Sequence, residues 1–187
     1  IYAYDIEGDS LIFAISLGNF SLPIREARQS KYDPRVLFDP EANRFIIVYL
    51  NGTVHRVSKI IVAFSKSSNP AEGFNLYALE GNPLDNDTWS DYPHIMVSNE
   101  DLFITMNTFL DDSSNNSGYV ESTIRQVSKN AGYDSLALIE QYYYDIKVAG
   151  KNLFNSTGVK GGSAPYSPPI YFASNRALSL TNDSLFL

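Results

Sequence analysis

Asp33-Pro34-Arg35-Val36-Leu37-Phe38-Asp39, then Arg44-Phe45-Ile46-Ile47-Val48-Tyr49-Leu50, then Lys59-Ile60-Ile61-Val62-Ala63-Phe64-Ser65, is the stretch whose reading decides the fold. It is rich in β-branched and aromatic residues, and they come in short runs rather than at helical spacing. Turn chemistry separates the runs: Asp39-Pro40, Asn51-Gly52 and Ser67-Ser68-Asn69-Pro70. A fourth run, Phe74-Asn75-Leu76-Tyr77-Ala78-Leu79, alternates apolar with polar before Gly81-Asn82-Pro83. Four strands joined by tight turns are expected over 31–80.

The same signals recur downstream. Ile95-Met96-Val97, Leu102 to Met106, Ser122 to Ser128 and Leu136 to Tyr144 read as strands, although Ser135 to Ile146 has some helical character as well. Aligning Pro34 with Pro93 and Pro168 brings Val36 onto Ile95 and Ile170, and Phe38 onto Val97 and Phe172. Aligning Ser65-Lys66 with Ser128-Lys129 brings Ile61 onto Ile124. The unequal offsets exclude a short fixed-period solenoid. A repeated four-strand unit whose first strand opens on a proline is the pattern of a β-propeller blade. A β-sandwich also uses many short strands and is the rival. The expected fold is therefore all-β, a partial β-propeller. It is parsed as the end of one blade (1–30), two four-stranded blades (31–80 and 90–145) and the start of another (165–187). The apolar opening Ile1-Tyr2-Ala3-Tyr4 and the apolar close Leu185-Phe186-Leu187 add the expectation that flanking parts of a longer protein are missing.

Composition narrows the chemistry. The 187 residues carry 14 Lys and Arg against 21 Asp and Glu, a net charge of -7, which argues against a nucleic-acid partner. With no Cys there is no disulfide, thiolate nucleophile or thiolate-bound metal. No apolar run is long enough to cross a membrane as a helix.

The residues quoted above also carry a resemblance. Asp33 to Asp39 with Arg44-Phe45, Ala63-Phe64-Ser65-Lys66-Ser67 with Asn69-Pro70 and Gly73-Phe74, and Asp91-Tyr92-Pro93-His94-Ile95-Met96-Val97 followed by Leu102 to Phe109 resemble the blades of large secreted bacterial β-propellers. Those proteins are of the Bacteroidota type and are often cargo or components of the type IX secretion apparatus. The likeness is dense over 32–109 and thin beyond. It implies an extracellular or cell-surface location, an association with the outer membrane and its secretion machinery, and a protein or glycan partner. Asp-Ser-Leu at Ser10, Ser135 and Ser184 resembles the O-glycosylation acceptor of such exported proteins. Phe45 and Phe74 stand where the family commonly has Trp, and no carboxy-terminal sorting domain is seen.

Catalytic and metal motifs are scarce. His55 and His94 do not have metal-ligand spacing, and there is neither a G-x-S-x-G elbow nor a phosphate loop at Gly158 to Gly162. The loop from Asp111 to Gly118 is rich in oxygen ligands, but its Gly falls one place late for an EF-hand and the closing Glu is missing, so neither calcium nor another cofactor is expected. Asp33 and Asp91 are repeat-equivalent carboxylates, expected to accept backbone hydrogen bonds in turns. They also support the alternative of an extracellular glycan-active enzyme with part of its machinery outside this segment. Arg44 is expected to pair with a carboxylate of the neighbouring blade. The expected binding residues are Trp89, Tyr92 and His94, because Asp85 to Asp91 reads as a polar connection leading into a blade entry, where an indole flanked by carboxylates suits a sugar face or a protein hot spot. Trp89 as a plug between blades is the competing reading. No catalytic residue is assigned, and a non-catalytic recognition module is the favoured function.

Overall fold

The computed structural model describes residues 1–26, 28–111, 118–159, 170–176 and 185–186. Among them the chain is all-β, in four antiparallel sheets. A hairpin of β1 (Tyr2–Asp5) and β2 (Ser10–Ala14) comes first, followed by a short helix, α1 (Leu17–Phe20). Sheet one is a meander of β3 (Lys31–Asp39), β4 (Arg44–Asn51), β5 (Lys59–Ser65) and β6 (Phe74–Glu80). Sheet two is β7 (Thr88–Val97), β8 (Asp101–Leu110), β9 (Tyr119–Ser128) and β10 (Glu140–Tyr143), with helix α2 (Lys129–Tyr133) between its last two strands. Sheet three is β11 (Lys147–Val148), β12 (Lys151–Gly158), β13 (Phe172–Arg176) and β14 (Leu185–Phe186). All of 31–80 that is strand lies in one sheet, and no sheet closes on itself among the described residues. Among the described residues no helix is long and apolar enough to cross a membrane.

The sheets stack in chain order. On β4 and β5 every residue from Ile46 to Asn51 and from Ile60 to Ser65 is buried, so both faces are covered, as their continuous apolar runs require. One face, with Ile46, Val48, Leu50, Ile60, Val62 and Phe64, shares a core with Ile95, Val97, Leu102, Ile104, Met106 and Val127 of sheet two. The opposite face, with Ile47, Tyr49, Ile61 and Ala63, is covered by Phe20, Ile1, Ile15 and Leu17. Sheet two in turn meets sheet three: Phe103 packs edge-on to Phe172 at 5.8 Å, and Thr105 donates to the Ser156 carbonyl.

Helix α2 locks sheet two onto sheet one. Ser128 caps it by accepting from the Ala131 amide. Its Lys129 Nζ lies 2.9 Å from the Asp39 carboxylate, and the Tyr133 hydroxyl donates to the same carboxylate at 2.9 Å. Asn75 of β6 donates to the carbonyls of Gly132 and Tyr133. Arg44 does not find the expected carboxylate: it donates to the Ser65 carbonyl and lies over the Tyr133 ring at 5.3 Å.

One strand of each four-stranded sheet carries the same irregularity: the first strand of sheets one and two and the second strand of sheet three. In β3, Asp33 and Pro34 are inserted opposite a single residue, between the pairs Tyr32–Leu50 and Arg35–Val48. In β7, Tyr92 and Pro93 are inserted between Asp91–Asn107 and His94–Thr105. In β12, Asn155 and Ser156 are inserted between Phe154–Asn175 and Thr157–Ala173. The first inserted residue is left-handed each time, with φ of 48° at Asp33, 58° at Tyr92 and 52° at Asn155. This third occurrence has Ser156 where the others have proline; Pro168 lies outside the described residues.

Candidate functional site

The bulges bring one set of side chains together. Tyr32 of β3 donates to the carbonyls of Gly52 and Ser90, each at 3.0 Å, and Arg35 Nε donates to the Pro93 carbonyl at 2.7 Å. These two bonds seat the bulge of β3 beside that of β7. Asp33 and Asp91 consequently lie within electrostatic reach of one another, and both push the Tyr32 phenol, already raised by burial, further up. Burial raises the Asp91 carboxyl above the ordinary carboxylate value. The Tyr92 amide, which donates to Asp91 at 2.8 Å, opposes that shift, and the Asp33 charge reinforces it.

Of the three expected binding residues, Tyr92 and His94 flank Pro93 and touch each other, rings 5.3 Å apart and nearly edge-to-face. Tyr92 is 45% exposed. Trp89 is not in a polar connection. It lies inside β7, paired with Phe109 across the ladder, because the strand starts at Thr88 rather than near Pro93. Ser90 anchors that early start: its amide donates to Ser58 Oγ and its hydroxyl to the Gly81 carbonyl. The indole is half-buried between the rings of Tyr32 (6.3 Å) and Phe109 (5.8 Å). Phe109 continues to Tyr119, and Tyr119 to Phe154, so one file of rings crosses all three sheets behind the bulges.

A polar network the sequence reading missed extends this seam to sheet three. Asn107, opposite Asp91 in the ladder, donates from Nδ2 to Asn155 Oδ1 at 2.6 Å and accepts from the Asn155 amide at 3.2 Å and from Ser122 at 2.6 Å. The sequence signal was present only as a left-handed-tolerant Asn in a strand.

The remaining candidates are occupied elsewhere. Asp111 holds His55 twice, accepting from its backbone amide at 2.6 Å and pairing with the ring Nδ1, and Asp87 lies 3.6 Å from Nε2. Most of the oxygen-rich loop, residues 112–117, lies outside the described residues. Among the described residues no group of three or more His, Asp or Glu could hold a metal ion. An apolar cleft of about 530 Å³ between sheets two and three is lined by Phe103, Ile124, Tyr142, Tyr144, Ile146 and Phe172, away from the bulges. Compared with protein-family models, with curated proteins and with solved structures, the chain matches none.

Proposed function

We propose that this chain is part of a β-propeller, exported or held at a cell surface, that recognises a protein or glycan partner without turning it over. The propeller reading is supported by three successive four-stranded meanders, stacked in chain order, each with a bulge in its first or second strand. The exported location, and a role as component or cargo of a type IX secretion apparatus, draw support from the family resemblance alone. The observation that carries recognition is the shared placement of the bulges. Asp33 and Asp91 lie within electrostatic reach of one another at neighbouring bulges, the exposed Tyr92 ring follows Asp91 and meets the partly exposed His94, and Trp89 of the same strand packs against Tyr32 and Phe109. Strand bulges displaying exposed aromatic and polar groups suit binding better than packing.

The test is binding of the labelled protein to a glycan array and, by crosslinking, to cell-envelope proteins, alongside a hydrolysis assay. Saturable binding to either class without turnover is expected; saturable binding to neither would overturn the reading.

A glycan-active enzyme is the second reading, favoured by the two neighbouring carboxylates, one of them raised by burial and by the other's charge. A pair of that kind can divide acid and base duties. Turnover that is lost in both Asp33→Asn and Asp91→Asn, with folding intact, would promote it.

A further inference from the structure

The bulge position asks for a residue that tolerates left-handed backbone. In bulges of this class the first inserted residue is ordinarily Gly, and Asn or Asp is the next least strained. Sheet one has Asp33 there and sheet three has Asn155. Sheet two has Tyr92, at φ 58° and directly before a proline, which further disfavours helical backbone. A bulky side chain in that conformation is strained, and strain of this kind persists where something other than local preference retains the residue. Packing does not account for it. The ring is 45% exposed, belongs to neither buried core cluster, and touches the His94 ring. Asn155 meets the backbone requirement and ties its strand to Asn107 as well, whereas Tyr92 contributes no such tie through its ring.

We propose that Tyr92 is the ligand-contacting residue of this surface and that the ligand is a neutral saccharide, with one sugar face on the phenol ring and hydroxyl groups donating to Asp91 and Asp33. The inference rests on reading the surface as a recognition site. An exposed ring offers a flat apolar face, and carboxylates are strong acceptors for hydroxyl donors. A net charge of -7 and two carboxylates at the site disfavour an anionic ligand. A protein hot spot would want a desolvated apolar pocket around its anchor, and neither Tyr92 nor His94 lines any of three apolar clefts formed among the described residues.

The experiment combines affinity electrophoresis through gels containing soluble neutral polysaccharides (xylan, mannan, β-glucan, starch) with thermal melting, on the wild-type protein, Tyr92→Asn and Tyr92→Phe. At least one polysaccharide should retard the wild type. Tyr92→Asn should weaken that retention tenfold or more while melting at the same temperature or higher, and Tyr92→Phe should keep most of it. A lowered melting temperature in Tyr92→Asn would make the ring structural and overturn the proposal. Unchanged retention in Tyr92→Asn would remove Tyr92 from the contact. A wild type retarded by none of the gels would overturn the saccharide assignment, while envelope-protein crosslinking would still decide the broader recognition reading.

Discussion

Lys129 and Asp39 form an ion pair at 2.9 Å with both side chains buried, Asp39 at the end of β3 in sheet one and Lys129 on helix α2, which follows β9 of sheet two. The Tyr133 hydroxyl and the backbone amides of Glu41 and Ala42 complete the carboxylate's shell. A buried pair satisfied in this way contributes little relative to an apolar substitute, but breaking it leaves a charge stranded in the core. Lys129→Met should therefore destabilise the protein by about 3–5 kcal/mol. Adding Asp39→Asn should recover part of that loss. Urea unfolding of the two variants checks both statements, and additive losses would contradict the coupling.

Gly132 touches the same lock from another side. A Cβ built there would lie 2.4 Å from the Phe64 ring, which is fully buried between Tyr77 and Tyr133 and has nowhere to go. Alanine in a helix gains roughly 1 kcal/mol over glycine, but overpacking a closed core costs about 1–3 kcal/mol. Gly132→Ala should lower the melting temperature despite its better helical propensity.

Trp89→Ala should cost about 2 kcal/mol, less than a fully buried indole, because the ring is half-buried in a file shared by three sheets. Calorimetry is the check. A variant melting like the wild type but failing to bind partner would mean that the indole faces the ligand instead.

The raised Asp91 carboxyl gives a pH-dependent prediction. The folded state holds this proton more tightly than the unfolded chain does. Stability from this group is therefore lost as pH rises from the ordinary value of 3.8 through the raised one. Asp91→Asn keeps an acceptor for the Tyr92 amide and removes the penalty. It should melt above the wild type at pH 7, with the gap closing as pH falls below 3.8. A gap that widens toward acid would reverse the sign of the argument.

Much of this architecture was legible because the loops announce themselves. Asp39-Pro40, Asn51-Gly52 and Asn69-Pro70 each lie where a strand of sheet one ends or the next connection begins, and Gly73 takes φ 94° in the β5–β6 connection. Pro34 and Pro93 mark two of the bulges, since a residue without an N–H fits where the ladder is interrupted. The third bulge was hidden, because Asn155-Ser156 carries no such flag. Trp89 was placed in a loop because Asp85-Asn86-Asp87 precedes it; what extends the strand backward is a set of bonds from Ser90 to Ser58 and Gly81, which no local pattern encodes. Likewise α2 is too short, and holds a glycine, to stand out by propensity. Its partner Asp39 is 94 residues from Tyr133, beyond the reach of any periodicity.

That separation has a consequence for the order of assembly. Each sheet is a meander of neighbouring strands, so its pairings close quickly from local contacts. The carboxylate of Asp39, however, does not gain its buried ion pair until Lys129 exists and has turned back onto it. A chain delivered progressively from its amino end would form the strands of sheet one while that sheet still lacked this pair and kept an uncovered apolar face. Maturation should advance by pairs, with every sheet waiting for its successor before it becomes rigid. A pause in synthesis between residues 80 and 129 would then hold the molecule at its most aggregation-prone point.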